Sequence, residues 1–139
     1  MLVKEVMAKK VITIDCNKTV FDACNMYKDR KVGCLIVTDK GKCAGIVTER
    51  DLIERTICSR RDPDKTKVGE IMSSDIITVH ALDKIEAAIE FMEFFNIKKL
   101  PVVVNEEVVG IITVTDISRA RPDLSERFVD SWVKPRWSD

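Results

Sequence analysis

Gly45-Ile-Val-Thr-Glu-Arg-Asp51 is written a second time as Gly110-Ile-Ile-Thr-Val-Thr-Asp116. The two stretches lie 65 residues apart, and at that offset the chain aligns with itself without a gap. Over residues 3–55 against 68–120, twelve positions are identical: Val3, Glu5, Met7, Ile12, Thr13, Ala23, Leu35, Val37, Gly45, Ile46, Thr48 and Asp51. Val3-Lys-Glu-Val-Met7 meets Val68-Gly-Glu-Ile-Met72, Val11-Ile-Thr-Ile14 meets Ile76-Ile-Thr-Val79, and Leu35-Ile-Val37 meets Leu100-Pro-Val102. A fixed period that preserves apolar positions is the signature of one supersecondary unit used twice.

Each repeat reads as strand, helix, strand, strand, helix. Val11–Ile14 is a short β-branched run. Val20, Ala23, Cys24 and Tyr27 recur at helical spacing, as do Ile85, Ala88, Ile89 and Met92. Asp83 with Glu86 three residues later has the pattern of a capping box for the second of these helices. Leu35–Thr38 and Ala44–Thr48 flank Asp39-Lys-Gly-Lys42, a hairpin with turn chemistry at Gly41. Leu100–Val104 and Val108–Thr113 flank Asn105-Glu-Glu107 in the same way. Short helices are expected at Asp51–Ile57 and Asp116–Ala120. Strands this short and apolar leave a sheet face that the other repeat can cover. The expected fold class is therefore α+β: two βαββα repeats with mixed sheets, related by a pseudo-twofold axis and packed through their sheets into one globule. The division is 1–58 for the first repeat, 59–67 for a polar linker carrying Asp62-Pro63, 68–120 for the second repeat and 121–139 for a tail.

Composition bounds the function. At 139 residues, with 45% apolar and 33% charged residues, the chain can bury a core without metal or disulfides. Lys and Arg number 23, as do Asp and Glu, so the basic excess of a nucleic-acid binder is missing. The halves differ, at +5 for residues 1–67 and −5 for 68–139. A local basic stretch runs from Arg50 through Arg55, Arg60, Arg61 and Lys65 to Lys67. No apolar run approaches the ~20 residues of a membrane span, and the N-terminus has no secretory apolar region, so a cytoplasmic protein is expected. Cys16, Cys24, Cys34, Cys43 and Cys58 form no Cys-x-x-Cys and the single His80 is remote from them, so reduced thiols and no metal are expected. No nucleophile–base constellation is legible, which argues against an enzyme.

The repeat resembles the cystathionine-β-synthase (CBS) domain, here as a stand-alone tandem pair. The resemblance rests on Val-Met at 6–7, Ile-Met at 71–72, Val-Ile-Thr-Ile at 11–14, Leu-Pro-Val-Val at 100–103 and the two Gly-h-h-Thr-x-x-Asp motifs, in family order over about residues 2–120. It implies a regulatory sensor rather than a catalyst. Such pairs bind AMP, ADP, ATP or S-adenosylmethionine in clefts between repeats, often as homodimers, and act on another protein.

Each hairpin-to-helix junction offers part of a nucleotide site. The carboxylate of Asp116 can accept from both hydroxyls of a ribose, Thr113 can place its hydroxyl beside the sugar or phosphate, and a helix start adds N–H groups. The same residues also read as a plain helix cap and strand end. By resemblance, Lys98 and Lys99 face a phosphate; their equivalents, Gly33 and Cys34, carry no charge. Family geometry then groups Lys98, Lys99, Ile111, Thr113 and Asp116 with Ile12 in one cleft, and Gly33, Cys34, Ile46, Thr48 and Asp51 with Ile77 in the other. Arg50, next to Asp51, points toward a phosphate, a symmetry mate or solvent. The first cleft is expected to favour mono- or diphosphates, and the second to be empty or to take a less charged adenosine derivative. A second reading is a structural dimerisation module with vestigial clefts. In the tail, Phe128 and Trp132 lie four apart and share a helical face, docking on a neighbour or folding back on the module.

Overall fold

The computed structural model describes residues 1–127. The expected helical tail face of Phe128 and Trp132 lies outside them. The chain runs α1 (Val3–Val6), β1 (Thr13–Asp15), α2 (Val20–Arg30), β2 (Cys34–Asp39), β3 (Lys42–Thr48) and α3 (Glu49–Leu52), which continues as a π-helical turn, Ile53–Ile57. Then follow α4 (Val68–Ile71), β4 (Val79–His80), α5 (Ile85–Phe95), β5 (Lys99–Val104), β6 (Glu107–Thr113), α6 (Val114–Ala120) and a 3-10 turn, Pro122–Leu124. Two three-stranded sheets form, β1-β2-β3 and β4-β5-β6. In each, the first pair is parallel and the hairpin pair antiparallel. These are the two mixed-sheet βαββα repeats that the sequence pattern implies.

The compact units divide the chain differently from the repeats. One unit is Val11–Ile76; the other joins Met1–Lys10 to the described residues from Ile77 onward. Each unit therefore takes its opening arm from the repeat that does not supply its sheet, and the two arms are used in the same register. Val68 N–H donates to Lys18 O at 2.8 Å, and Val3 N–H to Asp83 O at 2.8 Å. Ser73 bridges Ile46 in β3, and Ala8 bridges Ile111 in β6. Val20 N–H, at the start of α2, donates to Thr66 O; Ile85 N–H, at the start of α5, donates to Met1 O. The arms thus satisfy N–H groups that a helix start leaves without partners.

The repeated Val-x-Glu-h-Met explains itself in this setting. Val3 and Val68 are fully buried. Glu5 and Glu70 fold back to accept from the N–H groups of Leu2 and Lys67, at 2.5 and 2.6 Å. Arg61 adds an ion pair to Glu70 at 2.7 Å, and the Lys67 N–H and this guanidinium hold the Glu70 carboxyl below its ordinary range. Met7 and Met72 press on the backbones of Gly110 and Gly45. A Cβ at Gly110 would lie 2.5 Å from Met7 Sδ and 2.8 Å from Ala8 O; at Gly45 it would lie 2.6 Å from Met72 Sδ and 2.7 Å from Ser73 O. These glycines are required by the close approach of the arm.

Three local readings are corrected. The helices after the hairpins begin at Glu49 and Val114, two residues before Asp51 and Asp116. Thr48 and Thr113 are the N-caps, which puts each aspartate at the third helical position. The Asp83–Glu86 box does not form: Lys84 is the N-cap of α5, and Asp83 Oδ2 accepts from His80 N–H at 3.0 Å instead. The box occurs in the other repeat, where Thr19 and Asp22 exchange hydrogen bonds at 3.1 Å. The first strand occupies Thr13–Asp15 rather than Val11–Ile14.

Each unit has its own core. Val3, Ile85, Ile89, Met92, Leu100 and Ile112 pack in one. Val20, Leu35, Val37, Val47, Val68 and Ile71 pack in the other.

Candidate functional site

The hairpin of β5 and β6 is two-sided. Leu100, Val102 and Ile112 enter the unit's core. By the period of two, Lys99, Pro101, Ile111 and Thr113 line the opposite face. The register sets Lys99 directly across from Thr113, and Pro101 across from Ile111. Lys99 is exposed, while Ile111 and Thr113 are half-buried. Lys98 is joined to the same corner through its carbonyl, which accepts from Val114 N–H at 3.1 Å.

Asp116 closes this corner. Its Oδ2 accepts from Thr113 N–H and from the Thr113 hydroxyl, both at 3.0 Å, while its own N–H donates to Thr113 Oγ1 at 3.2 Å. The cap reading of these residues is therefore correct as chemistry. It occupies one carboxylate oxygen; none of these bonds falls on Oδ1. The carboxylate is half-buried and fixed in position, as a diol acceptor should be.

The other unit builds the same corner with different neighbours. Cys34 lies across from Thr48, and Ile36 across from Ile46. Thr48 N–H donates to Asp51 Oδ2 at 3.0 Å, and Asp51 N–H to Thr48 Oγ1 at 3.3 Å. Here Arg55 stands 3.8 Å from Asp51 Oδ1, and its Nη1 donates to Ile71 O at 3.0 Å. The position aligned with Arg55 in the second repeat is Ala120. Arg50 pairs with Glu54 at 2.7 Å on the exposed side of its helix. Gly33 is exposed just before β2. Ile12 and Ile77 are half-buried, and each belongs to the unit opposite to the Thr–Asp motif it was expected to serve.

Two neighbours of Asp51 escaped the sequence reading. One is Arg55. The other is Tyr27, the only tyrosine of the chain, whose hydroxyl donates to Val47 O at 2.7 Å. Burial, with Cys34, Glu49 and Asp51 nearby, pushes this phenol above its ordinary range. Its aligned residue, Met92, is apolar, and that contrast was the available signal. Burial likewise raises the thiols of Cys16, Cys24 and Cys43, with Asp39 and Asp15 adding to the effect at Cys16, so all three stay protonated at neutral pH. An open cavity of about 360 Å³ lies between β1 and α2, lined by Asp15, Lys18, Asp22 and Asn25 among others, and contains none of the expected site residues.

The CBS domain family profile matches residues 3–57 and again 68–123, which together cover most of the chain. The chain belongs to the CBS domain family. Its curated relatives include the CBS domain-containing protein YhcV of Bacillus subtilis, 32% identical over 116 residues that cover 84% of this chain and 82% of that protein. The mitochondrial CBS domain-containing protein CBSX3 of Arabidopsis thaliana is 35% identical over 107 residues, 73% of this chain and 52% of that protein, so the chain spans about half of that relative. Among solved structures, the CBS domain pair of protein MJ0100 in complex with 5-methylthioadenosine and S-adenosyl-L-methionine is 30% identical, with a TM-score of 0.73 over 88% of this chain and 97% of that one. Hypoxic Response Protein I, solved with two coordinated zinc ions, shares the fold at 24% identity and a TM-score of 0.79, over 86% of this chain and 98% of that one. Membership places this CBS pair with regulatory modules rather than catalysts. Among the described residues no group of three or more His, Cys, Asp or Glu side chains could hold a metal ion. No helix among them is long and apolar enough to cross a membrane.

Proposed function

We propose that this CBS pair is a ligand-sensing regulatory module whose Gly-h-h-Thr-x-x-Asp corners bind an adenosyl compound: AMP, ADP, ATP or S-adenosylmethionine. The observation that carries the reading is the Thr113–Asp116 corner, where the cap takes Oδ2 and Lys99 stands opposite Thr113. A carboxylate held this way accepts from a ribose diol without first losing rotamer freedom. Lys99, with Lys98 beside it, supplies positive charge for a phosphate as point charges. That an MJ0100 CBS pair was solved with two adenosyl compounds supports the ligand class.

The two corners are chemically unequal. Asp116 is accompanied by Lys99; Asp51 is accompanied by Arg55 and by the uncharged Cys34. In this reading the Thr113–Asp116 corner prefers mono- and diphosphates, and the Thr48–Asp51 corner takes a less charged adenosine derivative or none. The ligand state is read by a protein target, with the CBS pair acting as a homodimer.

A thermal-shift panel of AMP, ADP, ATP and S-adenosylmethionine tests it. A ligand at 100 times its Kd stabilises by about 2.7 kcal/mol, a rise on the order of 10 °C for a chain of this size. Lys99→Ala is expected to reduce the AMP response several-fold and to spare that of S-adenosylmethionine. A flat panel contradicts the sensor reading and favours the alternative of an interaction module with vestigial sites.

A further inference from the structure

The two Thr–Asp corners differ at one position of the helix that follows. Asp51 and Arg55 are one helical turn apart, and Arg55 Nε stands 3.8 Å from Asp51 Oδ1. The aligned pair in the second repeat is Asp116 and Ala120, and alanine has no charge to set there. The helices differ as well. α6 is regular from Val114 to Ala120, whereas α3 passes at Ile53 into the π-helical turn that carries Arg55. Such turns are rare and are frequent at functional sites.

Arg55 is held from its other side too. Its Nη1 donates to Ile71 O at 3.0 Å, one of the carbonyls that the end of α4 leaves without a helical partner. That carbonyl is fixed in place, because the arm is clamped on β3 two residues later. Ser73 and Ile46 exchange two backbone hydrogen bonds, both at 3.0 Å. The nearest competing carboxylate along the helix, Glu54, is taken by Arg50 at 2.7 Å.

The consequence falls on the Asp51 carboxylate. Oδ2 accepts from Thr48 N–H in the cap, and Oδ1 faces the guanidinium. A hydroxyl bonds a carboxylate oxygen at about 2.7 Å, so a ribose hydroxyl approaching Oδ1 along the line to Nε would overlap Arg55. Displacing Arg55 exchanges a charged partner for two neutral donors, at a side chain only 15% exposed and therefore weakly screened. It also strips the Ile71 carbonyl of its donor.

We propose that Arg55 is a lock on the Thr48–Asp51 corner: tied to Ile71 O, it excludes a ribose diol from Asp51, so that the chain takes one adenosyl ligand, at the Thr113–Asp116 corner. The proposal rests on the reading of the Thr–Asp corners as diol sites and names the residue that sets their occupancy. Equilibrium dialysis of the full chain with labelled AMP and labelled S-adenosylmethionine, counting ligand bound per chain at saturation, tests it. Wild type is expected to bind one equivalent of its preferred ligand, and Arg55→Ala, which copies Ala120, to bind two. Arg55→Met keeps the stem of the side chain without the charge and should also bind two. The added equivalent should vanish in Arg55→Ala/Asp51→Asn. Ala120→Arg, the reverse exchange, should weaken binding at the Asp116 corner at least tenfold. Far-UV circular dichroism and ligand-free melts check that each variant is folded. Two equivalents on wild type overturn the lock, as does a count unchanged in both Arg55→Ala and Arg55→Met. No ligand on wild type but one on Arg55→Ala, lost again with Asp51→Asn, upholds the lock and contradicts the sensor reading of the Asp116 corner. No ligand on any of these proteins overturns both.

Discussion

One oxygen of Asp116 is spent on the helix cap and the other is not, and in the proposed reading that division leaves a cap residue able to accept from a ligand. Elsewhere single residues show what close packing demands. Thr56 is fully buried and its hydroxyl has no hydrogen-bond partner among the described residues. Thr56→Val keeps the shape and removes an unsatisfied hydroxyl. It should stabilise by about 1 kcal/mol, read as a higher urea midpoint at unchanged m. Gly110→Ala should act in the opposite direction. Its Cβ meets Met7 Sδ, which can swing away, and Ala8 O, which is tied to Ile111 and cannot. Overpacking here should cost about 1–3 kcal/mol in the same titration.

At the scale of elements, the hairpin turns show where local chemistry and conformation disagree. Both loops have two residues with positive φ: Lys40 (52°) with Gly41 (81°), and Asn105 (52°) with Glu106 (69°). Glycine takes that second position without strain; glutamate does not. Glu106→Gly should therefore stabilise by up to about 1 kcal/mol, seen as a higher thermal midpoint, whereas Gly41→Ala should destabilise by a similar amount. The hairpins were legible because Asp39-Lys-Gly-Lys42 and Asn105-Glu-Glu107 separate apolar runs. The starts of α3 and α6 were misplaced by two residues. Threonine at a strand end is also a good N-cap, and the Thr-x-x-Asp spacing fits both roles. The Asp83–Glu86 pattern misled because it is one residue out of register: the N-cap of α5 is Lys84, at the position of Thr19, with no side-chain acceptor, and Ala87 stands where Asp22 does, while the arm serves both helix starts alike. Ile85 N–H finds Met1 O, a partner from a distant part of the chain.

At the scale of the whole molecule, the exchange of arms is the feature the repeat pattern did not disclose. Self-alignment at 65 residues shows that Val3-to-Met7 and Val68-to-Met72 are equivalent. It is silent on which sheet each serves, because the same contacts satisfy either choice. The structure gives Met1–Lys10 to the unit of the second sheet and ends the first unit at Ile76. A fragment of residues 11–76 should consequently be better folded than one of residues 1–65, although both contain the first sheet and are nearly equal in length. Circular dichroism melts of the two decide it, and a more cooperative melt for 1–65 would contradict the assignment. The placement of the corner residues was legible: Thr48, Asp51, Thr113 and Asp116 stand together at the hairpin-to-helix junctions, and Lys99 falls across from Thr113. Tyr27 was not, since only folding brings it near Asp51; Arg55 lies one helical turn beyond Asp51, and its i,i+4 spacing in the expected helix was a readable signal. The central claim is that an adenosyl ligand is held by the Asp116 carboxylate. Asp116→Asn separates the two uses of that residue, because an amide oxygen can still accept from Thr113 N–H. The measurement is a calorimetric titration of wild type and Asp116→Asn with AMP, ADP, ATP and S-adenosylmethionine, alongside their ligand-free melting curves. The account predicts saturable binding to wild type by at least one of these, an affinity at least about tenfold weaker in Asp116→Asn (a loss of about 1.4 kcal/mol) and melting temperatures within a few degrees of each other. Equal binding by the two proteins, or no heat from any of the four with wild type, would contradict it.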